Sequence, residues 1–225
     1  DGIVVGIGST LAIQTNNGKI TLWANSDDNG GAIRVREKVT FNSANGSTVG
    51  GLSGGGSITL AGGTTTDSST GLPNGYAYAQ SGLTGNWGNT WIAGVTLASY
   101  TGNTGNDITF YSGGGNVLIK GQSANSMPGV AWIGGTSSTQ TIEAGTGTIT
   151  IVGNGLGNGH GIEFNYGGGS GPTLSSSNTS ASAISITGVT TSTGSHAGYQ
   201  GIATLIASGA GGGISISGTT SSATY

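Results

Sequence analysis

Thr148-Ile149-Thr150-Ile151-Val152-Gly153 returns as Ala183-Ile184-Ser185-Ile186-Thr187-Gly188 and again as Gly213-Ile214-Ser215-Ile216-Ser217-Gly218. A looser copy, Asn116-Val117-Leu118-Ile119-Lys120-Gly121, precedes them. In each phrase two apolar residues stand two apart, and a glycine follows four residues after the first. A period of two is the strand period, so both apolar side chains share a face and the residue between them points the other way. The phrases start at Val117, Ile149, Ile184 and Ile214, which are steps of 32, 35 and 30 residues. A strand-plus-turn unit recurring at that spacing is the mark of a repeat architecture.

Other apolar blocks fill the interval. Ile20 to Ile33, Val39 to Leu52, Val95 to Ile108, Val117 to Val130 and Ile149 to Ile162 are each 13 apart, while Ile20, Val39 and Ile58 are spaced by 19. From Val130 the next blocks begin at Ile142 and Ile149, so 32 residues hold three strands and return to register. Ile162, Leu174 and Ile184 give a slightly longer copy, and the 18 residues from Ile184 to Ile202 imply a loop insertion over 191–201. Equivalent strands at whole-coil spacing stack in parallel, each coil advancing by about 4.8 Å. The expectation is therefore an all-β chain: a right-handed parallel β-helix with three strands per coil. Ile149, Ile184 and Ile214 form an internal ladder, Thr150, Ser185 and Ser215 an external one. Trp132 and Phe164, each two after a strand start, are expected to stack inside. Residues 71–100 fit worst: Tyr76-Ala77-Tyr78-Ala79 alternates like a strand, 82–91 has no clean period, and the stretch reads as an irregular insertion.

Composition agrees. Glycine takes 49 of 225 positions, there are five basic and eight acidic residues, and nothing charged follows Glu163. The glycines lack collagen's every-third spacing, and a net charge of −3 is too small for a typical disordered chain. Asn-Gly occurs six times, and both residues accept the positive φ of tight turns. With no cysteine, disulfides and thiolate metal sites are impossible. No apolar run reaches membrane-helix length, and five basic residues argue against a nucleic-acid surface. The chain begins at Asp1 and stops in mid-repeat, which reads as a single β-helical shaft segment, 1–225, of a longer polypeptide.

The phrases from Gly18-Lys19-Ile20-Thr21-Leu22-Trp23 through Gly30-Gly31-Ala32-Ile33, with 145–153 and Gly159-His160-Gly161-Ile162, resemble the repeat region of filamentous-haemagglutinin-type proteins. The resemblance spans nearly all of the chain outside about 70–100. It implies a β-helical shaft of a bacterial adhesin, secreted or displayed at the cell surface, often by two-partner secretion. Adhesion, aggregation, filament formation or biofilm matrix are the roles it implies. The partners would be another copy of the chain, or a glycan or protein of a host or neighbouring cell.

The chemistry-bearing residues are few. Arg34 and Arg36 alternate with apolar residues and read as an outer-face basic patch, for which simple solvation is the plainer account. Asp27 and Asp28 are the sole metal candidates, as Ca²⁺ oxygen donors, but a turn built on Asp and Asn side chains explains them better. No cofactor is expected. Glu143 and Glu163 both point outward from different strands, so they do not form the paired carboxylates of a glycosidase. His160 and His196 are 36 apart yet out of register with their strands, and read as loop residues. Trp23 should face outward, and Tyr76, Tyr78, Trp87 and Trp91 gather in the insertion, where exposed rings suit sugar or protein contact. Asn45-Gly46-Ser47 and Asn178-Thr179-Ser180 match the glycosylation acceptor pattern, a chance match in a chain of this composition. The expectation is a non-catalytic structural and adhesive module; the alternative is a β-helix that binds or cleaves carbohydrate.

Overall fold

The structure, a computed structural model, describes residues 2–6, 10–27, 29–44, 54–80, 93–98, 107–124, 126–134, 138–164, 170–192 and 194–220. Leu52, Asp28, Trp87, Trp91 and the Asn45 acceptor site lie outside them. The described residues form a parallel β-helix of six coils with three strands each, plus two short extra strands. The first coil holds β1 (Ile3–Val5), β2 (Leu11–Gln14) and β3 (Ile20–Ala24), and the second β4 (Ile33–Val35), β5 (Val39–Asn42) and β6 (Ile58–Thr66). Then come the extra strands β7 (Pro73–Gly75) and β8 (Ala77–Ala79). The third coil is β9 (Val95–Ala98), β10 (Ile108–Tyr111) and β11 (Val117–Ser123); the fourth is β12 (Val130–Ile133), β13 (Gln140–Glu143) and β14 (Ile149–Gly155). The fifth is β15 (Ile162–Phe164), β16 (Thr173–Ser176) and β17 (Ile184–Thr190), and the sixth β18 (Tyr199–Gln200), β19 (Thr204–Ala207) and β20 (Ile214–Thr220). Like strands stack into three sheets: β1-β4-β9-β12-β15-β18, β2-β5-β10-β13-β16-β19 and β3-β6-β11-β14-β17-β20.

The ladder has the expected register. Val117, Ile149, Ile184 and Ile214 are successive partners, as are Leu118, Thr150, Ser185 and Ser215 on the opposite face. In β11, β14 and β17 buried and half-buried residues alternate over all seven positions. The core is a set of such columns, Ile33-Val95-Val130-Ile162 in the first sheet and Phe41-Phe110-Ile142-Leu174 in the second among them. Aromatic rings continue from coil to coil within it. Phe41 lies 4.9 Å from Phe110 in a near-parallel stack, and Trp132, Phe164 and Tyr199 follow edge to face at 5.6 Å.

Two spacings mean something different from the sequence reading. Ile20 and Ile58 are partners in the third sheet, whereas Val39 between them belongs to the second, so the steps of 19 are not a repeat. The 13-residue offset is not one link either: Ile149 to Ile162 crosses from third sheet to first, Val95 to Ile108 from first to second. The partner of Ile162 in the sixth coil is Tyr199, not Ile202, which lies outside the strands and is 60% exposed.

The recurring glycine closes the third, fourth and fifth coils. Gly121, Gly153, Gly188 and Gly218 are register partners at an inward position of the third sheet, and the first three lie beside the chain entering the next first-sheet strand. A Cβ on Gly153 would stand 2.0 Å from the Gly161 carbonyl oxygen, and one on Gly188 1.8 Å from that of Gly198. Gly161 and Gly198 face the same constraint, since a Cβ on either would stand 2.4 Å from the Val189 or Thr219 nitrogen. The second corner of the coil is held by serines. Ser43 Oγ donates to Gly56 O at 2.6 Å, Ser176 Oγ to Gly147 O at 2.6 Å, and Ser112 Oγ to Gly115 O.

Ile151→Ala, in a fully buried column, should cost about 2–5 kcal/mol, while Thr150→Ala next to it should change stability by less than about 0.5 kcal/mol. Urea unfolding with equal losses for the two would contradict the alternation. Gly188→Ala should destabilise by about 3 kcal/mol or more. Gly218→Ala, whose added methyl would find its nearest atom 3.4 Å away, should be tolerated by the same measurement.

Candidate ligand groove

The third sheet is interrupted at one place. β6 pairs with β11 only through Ile58, Thr59 and Leu60. Beyond Leu60 it parts from β11, stays paired with β3 through Ala61 and Gly62, and then turns back antiparallel along β7. β8 then occupies the position β6 vacated, with Ala77, Tyr78 and Ala79 opposite Gly121, Gln122 and Ser123. Glycines permit the departure. A Cβ on Gly62 would lie 2.2 Å from Ala24 O and 2.5 Å from Tyr76 O, and Gly63 takes a φ of 84°.

The hairpin tip is tied by one carboxylate. Asp67 Oδ1 accepts from the Ser69 and Thr70 amides at 3.0 and 2.8 Å and from their hydroxyls at 2.5 and 2.9 Å. The bonds from the Ser69 and Thr70 side chains, then those from the backbone, hold its pKa down to about 2. Two shaft lysines clamp the hairpin to the outer face of the sheet. Lys19 Nζ donates to Thr70 O at 2.9 Å; Lys120 Nζ donates to Asn74 O and sits 4.8 Å from the centre of the Tyr76 ring. Burial lowers the pKa of Lys120.

Between hairpin and sheet runs a groove of about 340 Å³. Its floor is the outer row Thr59, Leu118, Thr150, three register partners from successive coils, with Lys120 and Val152 one row along. Its wall is Asp67, Thr70, Leu72, Pro73 and Asn74. Thr59 is 1% exposed and its Oγ1 has no hydrogen-bond partner. A buried hydroxyl of that kind costs free energy unless something satisfies it. A second hollow, about 390 Å³, opens on the other side of the hairpin against Asn25, Thr64, Tyr76, Tyr78 and Gln122.

The sequence candidates divide accordingly. Trp23 is 37% exposed and its Nε1 donates to Gly63 O at 2.8 Å, so it braces the foot of the hairpin. Tyr76 and Tyr78 are half-buried on the hairpin side. Arg34 departs from expectation: it is on the outer face but only 8% exposed, in a covered row with Thr96 and Ala131. Burial, followed by the charge of Arg36, lowers its pKa. Arg36 lies 3.3 Å from Glu37, with both side chains largely covered, so the basic patch is not a solvated one. Asp27 is turn chemistry: its oxygens accept from the Asn29 amide and side chain at 3.2 and 3.1 Å. Among the described residues no three metal-ligating side chains come together.

Two histidines that look out of register are in contact. The His160 and His196 rings are 4.9 Å apart, because the loop after β17 carries His196 back over the fifth coil. His160 Nδ1 accepts the Ala197 amide at 3.0 Å, and His196 Nδ1 is 3.0 Å from Ser192 Oγ. An acceptor Nδ1 puts the proton of neutral His160 on Nε2, leaving no lone pair there for a metal. Glu143 and Glu163 occupy the second and first sheets respectively. Burial raises the pKa of Glu163 to about 7.

No family model, curated protein or solved structure matches the chain.

The Glu163 carboxyl titrates near its ordinary 4.5 when unfolded and near 7 when folded. The folded state therefore resists the charge, and the penalty builds as pH rises from 4.5 to 7 and is complete above that. Glu163→Gln should raise the unfolding midpoint at about pH 8 and leave it nearly unchanged at about pH 4. An equal shift at both pH values would show that packing, not charge, governs the site.

Proposed function

We propose that the chain is a non-catalytic structural and adhesive β-helical module of a bacterial protein displayed outside the cell. The observation that carries this reading is how the side chains are allocated. Along β11, β14 and β17 buried columns alternate with half-buried outward rows. Asp67, Lys120, Tyr76 and Tyr78 gather where the ladder is interrupted, around the 61–80 hairpin. The resemblance of the repeat phrases to filamentous-haemagglutinin-type shafts supports the same reading, as does the separation of the two outward glutamates onto different faces. A stiff rod with a nearly uncharged surface suits adhesion and side-by-side association, because few charges need to be desolvated on contact.

A second reading, carbohydrate binding, is favoured by one observation: a groove floored by hydroxyl and aliphatic side chains and walled by an ionised carboxylate.

The purified chain, coupled to beads, should make them adhere to each other or to bacterial cells, and uncoupled chain should compete. Beads that stay dispersed and bind no cells, from chain with the far-ultraviolet spectrum of a β-protein, would overturn the adhesive reading. Release of reducing sugar from a polysaccharide would overturn the non-catalytic one.

A further inference from the structure

We propose that the groove between the 61–75 hairpin and the outer face of the third sheet binds a neutral oligosaccharide, the hydroxyl of Thr59 reaching one of its hydroxyl groups. The inference deepens the adhesive reading and rests on it, by naming a partner chemistry and the place that recognises it.

Four features of the groove fit that chemistry. First, Thr59 lines the groove, and its Oγ1, just beneath the surface, is unpartnered, so it has a donor and an acceptor with no competing protein bond. Second, Asp67 spends only Oδ1 on the hairpin tip. Its Oδ2 receives no hydrogen bond from the described residues, and the carboxyl stays ionised at any ordinary pH. An ionised carboxylate is the strongest acceptor a neutral hydroxyl can meet. Third, Leu72 from the wall and Leu118 from the floor give an apolar patch between these polar groups. A sugar ring presents that pattern, with hydroxyls around a rim and C–H groups on its faces. Fourth, the floor repeats Thr59, Leu118, Thr150 at one coil spacing, about 4.8 Å, so polar and apolar contacts alternate along an extended chain.

The same features argue against other occupants. A peptide strand cannot add here, since the floor is a sheet face whose backbone groups already pair within the sheet. An anionic chain would meet the fixed charge of Asp67, while the Lys120 ammonium is already engaged by Asn74 O and the Tyr76 ring. A cation would find only one carboxylate. A volume of about 340 Å³ lies at the small end of ligand sites, which suits a short stretch of saccharide held weakly and repeatedly along an adhesive surface.

The test is saturation-transfer NMR, followed by titration calorimetry, on the full 225-residue chain with cellotetraose, maltotetraose and N-acetylchitotetraose, and a hyaluronan tetrasaccharide as the acidic comparator. At least one neutral probe should bind. Thr59→Val, which keeps the shape and removes the hydroxyl, should weaken it about tenfold while leaving the unfolding midpoint no lower than that of wild type. Ser215→Ala, in the same outward row but at the sixth coil, should bind like wild type. Thr150→Tyr, from a half-exposed position at the groove, should block binding without touching the core, and it replaces Thr59→Val if that variant fails to fold. Silence from all neutral probes would overturn the proposal, as would wild-type affinity in the groove variants, an equal loss in Ser215→Ala, or preference for the acidic probe. Bead adhesion that persists in a chain binding no saccharide would remove the groove and keep the adhesive reading. Loss of both would remove the two together.

Discussion

The third, fourth and fifth coils can close only because, at one corner, backbone meets backbone with nothing between. The third-sheet strand ends where the next first-sheet strand begins, and the chain there passes within van der Waals contact of its own preceding turn. Gly153 against Gly161, and Gly188 against Gly198, leave no volume for a methyl group. The conformations at these four positions are not unusual, as none has positive φ; the requirement is purely one of space. This explains why the glycine sits at a fixed distance after each Ile-x-Ile pair. The two isoleucines fill the coil interior, and the glycine lets the wall return. With the corner fixed, β11, β14, β17 and β20 keep one register over seven residues.

That constraint also explains what could be read from the sequence. Position two after an inward Ile is inward whatever its neighbours, so Ile149, Ile184 and Ile214 could be aligned by counting, and Trp132 could be matched with Phe164. Counting works where each coil repeats the same closure. It fails where a corner loop changes length. His196 lies in such a loop, and only the path of the chain from Thr190 to Tyr199 brings it onto His160. The same limit placed the first-sheet strand of the last coil at Ile202 instead of Tyr199. Arg34 failed for another reason. Alternation tells which way a side chain leaves the sheet, but not what lies over that face, and here the outer row is covered.

The hairpin was the least legible element, and the reason is again physical. Gly62-Gly63 marks a break in the β6 pattern, but in a chain with 49 glycines it does not single out the point where the strand leaves the shaft. The substitution of β8 for the second half of β6 depends on a pairing some sixteen residues downstream. Alternation in Tyr76-Ala77-Tyr78-Ala79 does announce a strand, but not that its partner is β11. Non-local pairings of this kind are paid for by loop closure, and here the lysine clamps and the Asp67 tip offset part of that cost.

The location of the groove follows from the economy of the shaft. A regular coil has no spare surface: its inward positions are filled by the columns, and its outward positions lie on a flat face that cannot enclose a ligand. Concavity requires a second wall, and a wall requires chain that does not belong to the ladder. The 61–75 hairpin supplies it by leaving the sheet and lying over the row it would otherwise have extended. Covering that row takes the Thr59 hydroxyl out of water without giving it a partner. A shaft built only for stiffness would gain by placing valine there, since threonine and valine share a shape and only the hydroxyl carries the desolvation cost. The unpartnered hydroxyl, beside a concave part of the surface, is therefore a feature of this chain that scaffold requirements do not explain.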